Sequence, residues 1–231
     1  MDNEAVRLNK HLAFVLGVSR READELIEKG RVSANGTVAV LGQRIEPDTQ
    51  IFLDGQMVEA TVTKQLVLFN KPAGYVCSRR AQGDNRTIYD LLPEDMRSLK
   101  PVGRLDKDSS GLLLLSNDGD LAHQMTHPSF HKTKVYNVQL DHALEPLHQQ
   151  MISDHGVQLE DGTSHFLVTR IDDTPTYEIT MHEGRNRQIR RTFAALGYEV
   201  TWLHRVQFGP YQLADLPQGQ YRTLDTPAST I

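Results

Sequence analysis

"GRLDKDSSGLLLLSNDGD", residues 103–120, leads from an arginine and two aspartates directly into four consecutive leucines, Leu112 to Leu115. The leucine run is too short for a helix and lacks the alternation of a half-buried strand. It therefore predicts a strand covered on both faces. Around it, "LVLFN" (66–70) and "KVYNVQL" (134–140) read as further strands, and "HFLVTRI", "YEITMHEG" and "YEVTWLHRVQF" alternate more loosely. In the last of these, alternation sets Val200, Trp202, His204, Val206 and Phe208 on one face. Helices are expected near 119–126, 144–152 and 187–196, and Thr87 is placed to cap a short one before Pro93. Helices and strands do not alternate regularly, so the expected fold class is α+β with a mostly antiparallel sheet, not a doubly wound one.

The N-terminal quarter has a different pattern. Leu8, Leu12, Val15 and Leu16 recur at helical spacing and Gly17 follows them, where a helix end favours glycine. Ser19 with Glu22 forms a capping box for a second helix whose apolar face is Ala23, Leu26 and Ile27, stopped by Gly30. Asn35-Gly36 then supplies the turn of a two-residue hairpin. Two domains are expected, residues 1–60 and 64–231, with no flexible linker composition between them.

Composition narrows the function classes. The 231 residues carry 25 Lys and Arg against 30 Asp and Glu, a formal net charge of −5, which argues against a generic nucleic-acid coat or a polybasic membrane binder. Any nucleic-acid contact must be local. The single cysteine, Cys77, excludes an internal disulfide framework and any CxxC zinc site, and its apolar neighbours suggest a buried strand thiol. No signal peptide and no apolar run approaching ~18 residues is present, so a cytoplasmic protein without membrane partners is expected.

Five groups of residues could carry chemistry. Arg20, Arg21, Lys29 and Arg31 lie on or just past the second helix, a face suited to phosphates, yet residues 1–60 are acidic overall. In "EGRNRQIRRTFAALG", Ile189, Thr192, Phe193 and Leu196 share one side of a helix and Arg187 and Arg191 the other. Arg190 falls at the border, where a partly desolvated guanidinium wants a carboxylate. Arg185, Arg187 and Arg191 suit phosphates. Tyr136 points with Val138 and Leu140 towards a core or pocket. In the opening stretch, Asp106, Asp108, Ser110 and Gly111 fit the start of a calcium loop, but Asn117 stands where that loop needs its bidentate glutamate. A solvated turn and a catalytic carboxylate on a loop remain. His123, His127 and His131 are spaced like metal ligands on a helix, but Pro128 interrupts it. No metal site is expected.

"RLNKHLAFVLGVSRREADELIEKGRVSANG" resembles the S4 RNA-binding domain. "NKPAGYVCS", "GRLDKDSSGLLLL", "TKVYNVQL", "EGRNRQIRR" and "TWLHRVQFGPYQLADLPQGQYRTL", in that order, resemble the RsuA/RluB branch of bacterial rRNA pseudouridine synthases over nearly the whole chain. The resemblance implies isomerisation of a uridine in ribosomal RNA to pseudouridine with no cofactor. With nothing in the sequence suggesting an obligate interface, a monomer is expected. It implies that Asp106 is the catalytic carboxylate, acting at C6 or C1′ or through a glycal. Arg190 is implied as its counterion, and Tyr136 as the residue that stacks on the flipped uracil and assists loss of the C5 proton. Arg104, with Arg185, Arg187 and Arg191, is implied as an RNA contact. Lys71, Pro72 and Gly74 match an architectural motif, and Asp108 is expected to be a turn residue. A non-catalytic S4-type ribosome-binding or assembly factor is the competing expectation.

Overall fold

The structure, a computed structural model, describes residues 5–58, 62–79 and 83–224. The N-terminal unit forms from local signals. Helix α1 (Leu8–Val15) ends before Gly17 (φ 69°), and α2 (Arg20–Glu28) starts at Ser19. The Ser19 hydroxyl accepts the Glu22 N–H at 3.1 Å while the Glu22 carboxylate accepts the Ser19 N–H at 2.7 Å. Two of the helix's orphan donors are thereby satisfied, a capping gain of about 1 kcal/mol. Asn35 (φ 48°) and Gly36 (φ 79°) both adopt the left-handed conformation that joins Val32–Ala34 to Thr37–Val38 as a tight hairpin. Leu8, Leu12, Ala23, Ile27, Val32 and Ile51 form a core of their own. The boundary expected near residue 60 falls on residues 59–61, outside the described residues. Lys10 pairs with Asp120 at 2.7 Å, and Lys100 donates to the Val18 carbonyl, so the unit is seated against the remainder.

The remainder is built on a sheet of nine strands. Its order is Leu167–Arg170, Thr176–Met181, Lys134–Leu140, Val200–Phe208, Ser110–Ser116, Leu66–Lys71 and Tyr221–Leu224, with Tyr211–Gln212 and Lys100–Val102 as side branches. Neighbouring strands run antiparallel except Ser110–Ser116 beside Val200–Phe208. The leucine run is a strand with all seven residues buried. Leu113 and Leu115 enter the larger core with Phe69, Val138 and Phe193, and Leu112 and Leu114 a second core with Leu68, Val102 and Phe208. Each such leucine contributes roughly 1.5–3 kcal/mol by leaving water, which anchors the strand and the loop before it. Helices α3 (Gly119–Thr126), α4 (Pro146–Gln150) and α5 (Gln188–Ala195) lie near the positions expected of them.

Three local expectations are corrected. Thr87 does form a capping box, but the element after it is a single 3-10 turn, Ile88–Asp90. Cys77 is half-buried in a bend, not in a strand. The alternation assigned to Val200–Phe208 fails because its pairing with Lys134–Leu140 skips Val206 and Thr201. Each skipped residue is a bulge that reverses the facing of the strand beyond it, so Val200, Leu203, Arg205 and Phe208 are the buried set while Trp202 is exposed. At the parallel pairing Gly111 lies opposite Arg205, and a Cβ there would stand 2.3 Å from the Arg205 carbonyl oxygen. Only glycine permits that approach, at φ 102°.

Candidate active site

The loop 103–109 joins two strands and is held from below by the side chain that ends a third. Lys71 has no exposed surface, and its ammonium donates to the carbonyls of Pro72 (3.0 Å), Asp106 (3.1 Å) and Ser109 (2.7 Å). A buried charge of this kind needs its donors filled, and here backbone carbonyls fill them in place of a carboxylate. Burial pushes the Lys71 pKa down. The Gly74 N–H donates to the Lys107 carbonyl at 2.6 Å, with Gly74 at φ 93°. The Cys77 Sγ lies against the backbone of Leu105, 3.4 Å from its oxygen and 3.5 Å from its nitrogen, and burial pushes the thiol pKa up. Lys71, Pro72, Gly74 and Cys77 thus form a cradle that fixes the backbone on both sides of Asp106.

The two aspartates divide their surroundings differently from the expectation. Asp106 is half-buried, and the cation nearest its carboxylate is Arg187, with Nη1 3.9 Å from Oδ2. Asp108 takes the close contacts: Arg187 grips its carboxylate through both terminal nitrogens, at 3.0 and 2.9 Å. Arg190 places Nε 3.5 Å from the same carboxylate and donates to the Asp108 carbonyl (3.1 Å) and the Val200 carbonyl (2.6 Å). Arg190 is therefore the counterion of Asp108, not of Asp106. The helical wheel correctly sets its guanidinium at the border of the core, but the partner along the helix axis is set by tertiary placement. The hydrogen bonds from Arg187, with the charge of Arg190 behind them, hold the Asp108 carboxyl below the usual carboxylate range against its desolvation. Asp108 is an ion-pair centre rather than a bland turn residue.

Asp106 opens into a cleft of about 1070 Å³ whose lining includes Arg104, Tyr136, Arg187 and Arg205. The Tyr136 ring faces it from the strand Lys134–Leu140 and is itself buried. Arg104 is exposed at the mouth. Arg185 and Arg191, expected to face phosphates, instead converge on Asp161: Arg191 grips its carboxylate at 3.0 and 2.7 Å, and Arg185 reaches it at 3.1 Å and its carbonyl at 2.9 Å. They bind the hairpin Val157–Leu159/Gly162–Ser164 to the start of α5. On the N-terminal unit, Arg31 is paired with Asp54 and Lys29 lies 3.8 Å from Glu25, while Arg20 and Arg21 are exposed and, among the described residues, have no ion-pair partner. The three histidines do not share a helix, since α3 ends at Thr126 and His127 caps a new turn at Pro128.

Arg205 is a cleft residue that the sequence pattern conceals. The residue is 2 % exposed, and its guanidinium lies 4.7 Å from the Phe208 ring centre and 6.0 Å from that of Tyr136. The signal for it is an arginine inside an apolar strand segment, but simple alternation turns it outward.

Residues 65–195 match the RNA pseudouridylate synthase family and residues 6–51 match the S4 domain. The chain belongs to the RNA pseudouridylate synthase family. The chain is 37% identical to the ribosomal large subunit pseudouridine synthase B of Pseudomonas aeruginosa, over 95% of its own length and 59% of that protein's. It is 36% identical to the synthase B of Salmonella typhi, over 95% and 79% of the two chains, and 36% identical to an RNA pseudouridine synthase of Aquifex aeolicus, over 95% and 90%. Among solved structures, a pseudouridylate synthase crystal structure superposes with a TM-score of 0.67 at 32% identity, covering 95% of this chain and 96% of that one. Among the described residues no helix is long and apolar enough to cross a membrane.

Proposed function

We propose that this chain converts a uridine of large-subunit ribosomal RNA to pseudouridine, acting as a cytoplasmic monomer with Asp106 as its catalytic carboxylate. The observation that carries the reading is the state of Asp106. Its carboxylate opens into a cleft, its backbone is clamped by Lys71, and the close cations are drawn to Asp108, leaving its oxygens available to a ligand. The subunit assignment rests on the names of the similar synthases.

The reaction breaks the N1–C1′ bond, forms a C5–C1′ bond and exchanges the C5 proton for one on N1. Substrate and product are isomers, so no electron carrier or group donor is required. The target base would flip into the cleft at a cost of a few kcal/mol, offset by stacking on the Tyr136 ring. Asp106 would supply the nucleophilic carboxylate and Tyr136 the group that assists loss of the C5 proton. Arg104 at the mouth and Arg20 and Arg21 on α2 would hold phosphates. Arg185, Arg187 and Arg191 serve this reading first as ion-pair partners that fix α5 against the loop and hairpin.

The test is to incubate the protein with an unmodified large-subunit rRNA transcript in the presence of EDTA and map pseudouridine by carbodiimide-dependent primer extension. A single new stop is expected. Tight binding without product would instead favour the S4-type assembly factor.

A further inference from the structure

Arg205 is a cleft side chain whose state the mechanism leaves unexplained. It is a buried cation, and among the described residues no carboxylate lies within ion-pair distance of it. Its Nε donates to the Leu112 carbonyl at 2.8 Å, while Nη2 is buried with no hydrogen-bond partner. Removing a guanidinium from water without filling its donors costs several kcal/mol, and the neighbours add to the cost. Lys71 and Lys134 both feel its charge as a repulsion that lowers their own pKa, after the larger effect of burial.

The backbone holds Arg205 in place. The bulge at Val206 turns the side chain inward, and Gly111 admits its backbone against the loop strand with no room for a Cβ. The Phe208 and Tyr136 rings flank the guanidinium and limit its rotation. What Nη2 lacks among the described residues is an acceptor.

We propose that Arg205 reads the uracil ring, donating from its terminal nitrogens to a carbonyl oxygen, O2 or O4, of the flipped base. A base stacked on Tyr136 brings its carbonyl edge to a guanidinium already lying beside that ring. An uncharged carbonyl fits a flat donor edge enclosed by aromatic rings, whereas a hydrated phosphate belongs at the exposed mouth with Arg104. The inference rests on the isomerase reading above.

The experiment uses the full chain and an RNA fragment spanning the mapped uridine, made with uridine, 2-thiouridine or 4-thiouridine at that position. Sulfur accepts hydrogen bonds poorly. For wild type, kcat/KM should fall by about 10- to 100-fold with one of the two thio bases, the range expected for a charge-assisted hydrogen bond. Arg205→Met should lose a similar factor on the native RNA and become indifferent to the same thio substitution. Wild type indifferent to both thio bases would overturn the proposal even if Arg205→Met does not fold. Arg205→Met that keeps the full thio effect would also overturn it. So would a variant that weakens all three RNAs alike with a shallower salt dependence, which identifies a phosphate contact. Wild type without product on native RNA would sink the isomerase reading itself, and this inference with it.

Discussion

On α2, Arg20 and Arg21 extend into solvent with no ion-pair partner among the described residues, whereas around the cleft Arg187, Arg190, Arg185 and Arg191 are each engaged by Asp108 or Asp161. The same side chain serves two purposes. An unpaired exposed arginine costs little to desolvate partly and can follow an irregular RNA backbone. An arginine gripped on both prongs by a carboxylate is a structural strut, and its charge contributes to a local field more than to a contact. A net charge of −5 is therefore compatible with RNA binding, because the acidic residues at the cleft fix basic ones in place.

The contrast between fixed and free groups can be broken at four points. The largest effect is expected at Asp106, whose carboxylate faces the cleft with no close protein donor. Asp106→Asn should lower kcat on the order of a thousandfold or more while urea denaturation stays close to wild type. Next is Lys71→Met, which takes the ammonium donor from the Pro72, Asp106 and Ser109 carbonyls, of which Asp106 alone keeps a backbone donor, the Ser109 N–H. A loss of about 3 kcal/mol or more is expected by urea denaturation, since each unsatisfied group costs roughly 1–3 kcal/mol. An unchanged midpoint would mean that the cradle does not hold the loop.

A smaller effect is expected at Asp108. Asp108→Asn should cost under about 1 kcal/mol, because the pair is partly solvent-screened, with its effect on turnover exceeding that on stability. The pH dependence has a definite sign. The folded-state pKa of Asp108 is depressed, so its contribution is present above the unfolded carboxylate value of ~3.9 and disappears as pH falls through the lower folded value. Stability curves of wild type and variant should therefore differ at pH 7 and converge in acid. The smallest effect belongs to the free arginines. Arg20→Ala with Arg21→Ala should weaken RNA binding a few-fold, leave kcat unchanged and make the salt dependence shallower by about one to two counterions.

How much of the molecule is legible in its sequence tracks the range of the interactions. The capping box of Ser19 and Glu22 and the Asn35-Gly36 turn are satisfied within a few residues, so the sequence specifies them directly. The leucine strand is legible because four apolar residues in a row need cover on both faces. Asp106 and Tyr136 can be placed by resemblance and by strand alternation. The pairing of Arg190 cannot, because a helical wheel gives direction around an axis and the position of Asp108 along it is set by the sheet. Arg205 is hidden by the skipped residues Val206 and Thr201, which pattern counting cannot register. Arg185 and Arg191 look like phosphate ligands because their partner, Asp161, lies 24 and 30 residues away in a hairpin with no sequence mark of its role.

The parallel pairing of Ser110 and Gly111 with His204 and Arg205 also bears on the order in which the molecule is made. Its partners are separated by 94 residues, while the N-terminal core closes entirely within residues 8–58. A nascent chain leaving the ribosome can complete the S4 unit long before the strand carrying Arg205 has been synthesised, and long-range pairings are the slow ones to form. The S4 unit is thus finished early in translation, and the cleft is assembled only after its C-terminal strand arrives.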